Sequence, residues 1–189
     1  CAGATVAITE EYNGSSWTES GDLTTARTHP GGAGTQTATI AFGGGPPETA
    51  VAETYNGSTW TEVGDLNTAR RNHSGLGTQT AALSVGGTPP VVGIVESWNG
   101  TSWTEIADLN TARTGSAAAG ITIAALSIGG SPGYKTNTES FNGSAWTAGG
   151  DLTEEREGPF SFGTETAGVA AGGESLLPPG VSQVATVDE

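Results

Sequence analysis

Four arginines, Arg27, Arg70, Arg113 and Arg156, and four glutamates, Glu10, Glu53, Glu96 and Glu139, each recur at steps of 43 residues. Guanidinium and carboxylate groups repeated in this way could grip a charged ligand as a ring. They could equally pair with one another inside the protein, because charged groups are rarely buried unless paired. Ligand sites on repeat proteins break the repeat and structural devices follow it, so internal pairing is the expected role. Trp17, Trp60, Trp103 and Trp146 share the same step. Sugar stacking is one chemistry open to them, but packing of one sheet on the next suits a position locked to the repeat. Asp22, Asp65, Asp108 and Asp151 are single carboxylates in turns flanked by Gly or Ala. A calcium site needs several oxygen ligands close together, and none accompany them, so hydrogen bonding within the turn is expected.

Residues that depart from the repeat are better candidates for binding. His29, Arg71, Asn72 and His73 lie on or just before expected first strands, as do Glu157 and Phe160. Tyr134 and Lys135 lie in a loop after a Gly-Gly pair, alongside Pro46, Pro47, Pro89, Pro90, Leu176 and Leu177 in equivalent loops. Asn13, Asn56, Asn99 and Asn142 each begin Asn-Gly-Ser or Asn-Gly-Thr, an acceptor pattern for glycosylation in a host that performs it. Asn72-His-Ser is a weaker match. No Ser-His-Asp set, phosphate loop or zinc spacing is visible, and no acid–base pair stands out from the 20 carboxylates. The expectation is therefore a protein without catalytic residues, metal or cofactor.

Composition narrows the partners. A net charge of −14 repels phosphate backbones and anionic lipid, which disfavours nucleic acid and bare membrane surfaces and favours a protein or glycan ligand. Cys1 is the lone cysteine, so no disulfide can form within the chain; it reads as an exposed terminal thiol or as the lipid-bearing residue of a processed lipoprotein. No apolar run approaches the roughly 20 residues of a membrane-spanning helix. The first residue is not Met, which implies either a removed leader or a portion of a longer chain.

The elements that must position these residues follow from the same period. Asn-Gly pairs start at Asn13, Asn56, Asn99 and Asn142, and Gly-Gly pairs at Gly43, Gly86, Gly129 and Gly172, again 43 residues apart. Each unit predicts four short strands. The first follows the Arg and is rich in small residues. The second alternates and ends in Gly-Gly, with Ile40 and Phe42, Leu83 and Val85, Leu126 and Ile128, and Val169 and Ala171 on one face. The third ends in an aromatic residue before Asn-Gly, a hairpin signal because both central residues of a type I′ turn need positive φ. The fourth runs from the Trp towards Asp-Leu. Four strands in 43 residues is the length of a propeller blade, so a single all-β propeller of antiparallel four-stranded blades is expected over 1–189. Its repeat units span approximately 4–46, 47–89, 90–132 and 133–175, followed by a terminal strand over 181–189.

The run Glu53-Thr-Tyr-Asn-Gly-Ser-Thr-Trp-Thr-Glu-Val-Gly-Asp-Leu-Asn-Thr-Ala-Arg70, closing on Gly86-Gly87, resembles the kelch motif, which orders a Gly pair, a Tyr, a Trp and an Arg within each blade. The resemblance covers essentially the whole chain and implies loops after Gly-Gly that help form a partner-binding face. The wording is also similar to repeats in tail and surface proteins of marine bacteria and their phages. Galactose oxidase carries kelch-like blades, and likeness to it would imply copper held by two His and two Tyr, one Tyr cross-linked to Cys. His29 and His73 lie a blade apart, Tyr12 and Tyr55 are repeat-locked, and Cys1 is terminal, so those ligands are not matched.

Counting strands leaves a third strand over if the last first-and-second pair closes a ring with the N-terminal hairpin. An unpaired strand invites association, so a homo-oligomer or a longer array joined through 181–189 is expected. The function expected is a non-enzymatic adhesion or assembly module, extracellular or on a cell or virion surface; a secreted carbohydrate-active enzyme or oxidase using one propeller face is the alternative.

Overall fold

Short runs of Thr, Ala and β-branched residues, separated by Gly turns at regular spacing, form strands and no helix among the described residues. The structure, a computed structural model, describes residues 5–176 and the strand at 187–188. The N-terminal hairpin is β1 (Glu10–Tyr12) and β2 (Trp17–Glu19). The first sheet comprises β3 (Gly31–Thr35), β4 (Ala38–Phe42), β5 (Ala52–Tyr55) and β6 (Trp60–Glu62). The second comprises β7 (Ser74–Thr78), β8 (Ala81–Val85), β9 (Val95–Trp98) and β10 (Trp103–Glu105). The third comprises β11 (Ala117–Ile121), β12 (Ala124–Ile128), β13 (Thr138–Phe141) and β14 (Trp146–Ala148). The fourth holds β15 (Phe160–Thr164), β16 (Ala167–Ala171) and β17 (Val187–Asp188).

Every pairing is antiparallel and every sheet runs in chain order. The Asn-Gly hairpins set Tyr12 opposite Trp17, Tyr55 opposite Trp60, Trp98 opposite Trp103 and Phe141 opposite Trp146. These aromatic pairs have ring centroids 5.0–5.4 Å apart, a spacing at which offset rings attract beyond simple burial. Fourth strands are shorter than the sequence implies. After Glu105 the chain leaves the ladder, and Ile106 and Leu109 donate amide hydrogen bonds to the carbonyls of Val95 and Gly93.

Consecutive sheets lie face to face. Ile40, Phe42 and Ala52 of the first sheet meet Ala82, Trp98 and Trp103 of the second. Leu83, Val85 and Val95 of the second meet Ala125, Phe141 and Trp146 of the third. Ala117, Ile128 and Leu126 of the third meet Ala170 of the fourth. The first strands β3, β7, β11 and β15 also stand next to one another in that order.

Val187 and Asp188 pair with Ala171 and Ala170 of β16. The strand expected to be surplus therefore contributes the third strand of its own last sheet, because β16 offers an outer edge that a strand of the same chain can reach. The rest of 181–189, and Cys1 and Leu177, lie outside the described residues.

Burial of the repeated Trp differs along the chain: Trp103 is 5% exposed and Trp17 67%. Trp103→Ala is expected to cost about 3–5 kcal/mol of unfolding free energy, and Trp17→Ala about 0.5 kcal/mol or less. Urea denaturation of the two variants beside the wild type measures the contrast.

Candidate functional site

The linker that enters each sheet carries the repeated Arg, and the third strand of that sheet carries the repeated Glu. Arg27 pairs with Glu53 and Arg70 with Glu96, and Arg113 lies 2.6 Å from Glu139; all six side chains are buried. Each carboxylate also accepts linker amides, from Thr24 and Thr25, from Asn67 and Thr68, and from Asn110 and Thr111, at 2.6–3.3 Å. The guanidinium of Arg113 donates further to the carbonyls of Gly129 and Asn137, at 3.0 and 2.9 Å, and Arg156 reaches Gly172 in the same way. This saturation removes three of the Arg–Glu pairs from any ligand. Glu10, on the N-terminal hairpin, is exposed.

The repeated Asp side chains accept from backbone amides of the neighbouring third-strand segment, Asp22 from Thr9 at 3.2 Å and Asp65 from Ala52 at 3.3 Å. Asp151 accepts from the Asn137 amide group at 3.4 Å. Among the described residues no three metal-ligating side chains cluster.

A second device, made only of backbone, joins the sheets. The Asn72 amide donates to the His29 carbonyl at 3.3 Å, Gly115 to Asn72 at 2.9 Å, and Gly158 to Gly115 at 2.7 Å. All four residues have positive φ: 52° for His29 and Asn72, 58° for Gly115 and 67° for Gly158. Glycine adopts this conformation freely, whereas His and Asn meet a steric cost there. At His29 and Asn72 that cost is offset by the surrounding structure, which holds the backbone in place to make these bonds.

The register divides the non-repeating residues between two edges. Each Asn-Gly tip lies beside the turn between the first and second strands, as Gly57 does beside Thr37. Asn13, Asn56, Asn99 and Asn142 therefore share one edge. Each side chain folds back to accept hydrogen bonds from backbone amides two and three residues on, at 2.9–3.0 Å.

The opposite edge holds the residues before the first strands and the loops after Gly-Gly, tied by the bridges Thr28–Gly45, Arg71–Thr88, Thr114–Ser131 and Glu157–Glu174. His29, Arg71, Asn72, Tyr134 and Lys135 lie here. Arg71 forms an ion pair with Glu48 of the preceding sheet's loop at 3.3 Å, and both side chains are partly exposed. Lys135 bridges Arg156 through the backbone.

His73 is placed differently. It is buried between the first and second sheets, its ring centroid 5.4 Å from that of Phe42 and its Nδ1 2.9 Å from Ser84 Oγ, which also accepts from Arg70. Gly31 makes the room: a methyl group there would lie 2.6 Å from the His73 ring. His73 thus packs a sheet interface and is out of a ligand's reach. Its repeat counterparts Pro30 and Ser116 signal only that the position varies.

No protein-family model matches this chain, and no curated protein does. Among the described residues no helix is long and apolar enough to cross a membrane.

Two predictions follow from the buried polar groups. Glu96→Ala leaves the Arg70 guanidinium buried and uncompensated, and should cost about 3–5 kcal/mol, against about 1 kcal/mol or less for Glu48→Ala at the partly exposed pair; chemical denaturation measures both. Burial, and then the charge of Arg70, lower the His73 pKa from 6.5 to about 3. Between those values the unfolded chain binds a proton that the folded chain refuses, so stability falls as pH drops below the upper one. Relative to His73→Ser, the wild type should lose roughly 2 kcal/mol between pH 7.5 and pH 5. Parallel curves for the two proteins would show that the imidazole is charged when folded.

Proposed function

We propose that the chain builds kelch-like β-propeller blades and serves as a non-enzymatic binding or assembly module, extracellular or on a cell or virion surface. One observation carries the reading: three of the repeated Arg–Glu pairs are consumed within the sheets and linkers, whereas His29, Arg71, Asn72, Tyr134 and Lys135, which vary between repeats, gather on one edge. Antiparallel sheets stacked face to face, with first strands adjacent in chain order, support blades arranged around an axis. A net charge of −14 supports a protein or glycan partner over nucleic acid.

His29, Arg71, Asn72, Tyr134 and Lys135 form the binding edge in this reading. Arginine and tyrosine are the residue types that most often anchor interfaces. The Asn-Gly tips stand on the other edge, so glycosylation there, in a host capable of it, leaves the binding edge uncovered.

Screening the purified chain on a glycan array, with product analysis of every bound glycan, tests the reading. Binding without product is expected, and Arg71→Ala or Tyr134→Ala should weaken it about tenfold. Turnover of a bound sugar would overturn the non-enzymatic role in favour of a carbohydrate-active enzyme or oxidase.

A further inference from the structure

The interface between the third and fourth sheets differs from the two before it. In those, an aromatic pair sits against the preceding sheet: Trp98 and Trp103 on Ile40 and Phe42, Phe141 and Trp146 on Leu83 and Val85. The corresponding region beside Leu126 and Ile128 is a cavity of about 380 Å³, floored by Gly150 and Leu152 and walled by Gly168 and Ala170. Glycine geometry shows what is missing. A methyl group on Gly64 would lie 3.5 Å from the Trp98 ring, whereas its counterpart Gly150 meets nothing within 4 Å. The seated aromatics Trp98 and Phe141 stand opposite Ala82 and Ala125. Their counterpart is Gly168, and the described residues of β17, Val187 and Asp188, pair with Ala171 and Ala170.

The chain also carries an aromatic pair without a seat. Tyr12 and Trp17 are 47% and 67% exposed, with ring centroids 5.3 Å apart, close to the 5.4 Å of the seated Trp98–Trp103 pair. Their hairpin is already fixed to the first sheet, where Trp60 Nε1 donates to Thr9 and the Tyr55 hydroxyl bonds Glu11.

A matching difference in size lies alongside. Phe160 and Phe162 of β15 are 73% and 69% exposed, at the repeat positions of Ala117 and Ala119, which are 6% and 5% exposed. Across the interior contact of β3 and β7 it is Gly75 that lies against the neighbouring strand, with space for no side chain. Its counterpart on the open side of β3 is Gly32, where a methyl group meets only the Ile40 carbonyl, at 3.6 Å. Bulky rings thus stand exposed at one end of the array and an open glycine at the other.

We propose that the fourth sheet is the docking site for the N-terminal hairpin and first sheet of a second copy of this chain, joined head to tail. Tyr12 and Trp17 of the copy fill the cavity beside Leu126, and its Glu10 takes the place on Ala170 that Asp188 holds. Its Gly32 receives the Phe160 and Phe162 rings. A second copy is the occupant because the two ends stay apart within one chain, each exposing its aromatic residues, and because the contact continues sheet-to-sheet packing already present twice. The contact is heterologous, so each end binds only the other. The proposal rests on that packing and is independent of any ligand at the loop edge.

Analytical ultracentrifugation of the whole chain over a wide concentration range tests it. The wild type should associate reversibly. Trp17→Ser and the double variant Phe160→Ser, Phe162→Ser should each weaken self-association at least tenfold, with unchanged melting temperatures at dilutions where every protein is monomeric, since these side chains are exposed. Gly150→Trp, which fills the seat and removes nothing, should do the same. Mixing Trp17→Ser with the double-Phe variant leaves one intact end on each and should restore a dimer and nothing larger. A monomeric wild type at every concentration overturns the proposal, whether the ends stay open or close on each other. Unimpaired association of the variants, or a mixture that stays monomeric, overturns it equally. None of these results alters glycan binding by the monomer.

Discussion

The buried pairing of a linker Arg with a third-strand Glu is the interaction on which the rest of this structure depends. A crossing between sheets leaves amides that no ladder satisfies, and an unsatisfied buried amide is expensive. The Glu carboxylate answers that need and the charge of the buried Arg together, taking the guanidinium on one oxygen and linker amides on both. Because it sits on the third strand and the Arg precedes the first, the pair ties the entry of the sheet to its third strand. The apolar faces can then be small. Alanine, threonine and glycine suffice over much of the area because the sheet's position is already set.

That economy explains an otherwise puzzling composition. A chain with 31 glycines and 34% hydrophobic residues has too little apolar surface for a single thick core. The structure divides the load into thin interfaces, the first two anchored by one aromatic pair and a few aliphatic side chains each. The third interface, with Ala170 alone opposite Ile128 and Ala117, is the weakest of the set.

Much of this was legible from the residues, because the repeat encodes local geometry. Asn-Gly sets the hairpin, the hairpin sets Tyr55 opposite Trp60, and alternation sets Leu83 and Val85 on one face. What stayed hidden has a common cause, namely dependence on the neighbouring sheet. His73 looks like a free imidazole in a polar stretch until Gly31 and Phe42 of another sheet close over it. Trp17 looks identical to Trp103, yet only one has a sheet on its far side. The last strand, at Val187–Asp188, falls out of the 43-residue step, so its partner had to come from pairing with β16. The backbone contacts at His29, Asn72, Gly115 and Gly158 left only a faint trace, two glycines and an Asn at positions where φ is positive.

That final feature acts as a ruler. Its marks are peptide groups spaced one per unit, and the residues bearing them are His, Asn, Gly and Gly. Side chains at this edge can be exchanged, within what a left-handed backbone tolerates, without altering the pitch at which successive units are laid down. Diversification of the surface is thereby uncoupled from the dimensions of the scaffold. A lineage, or an engineer, could rewrite the exposed letters of each unit one at a time and keep the same frame.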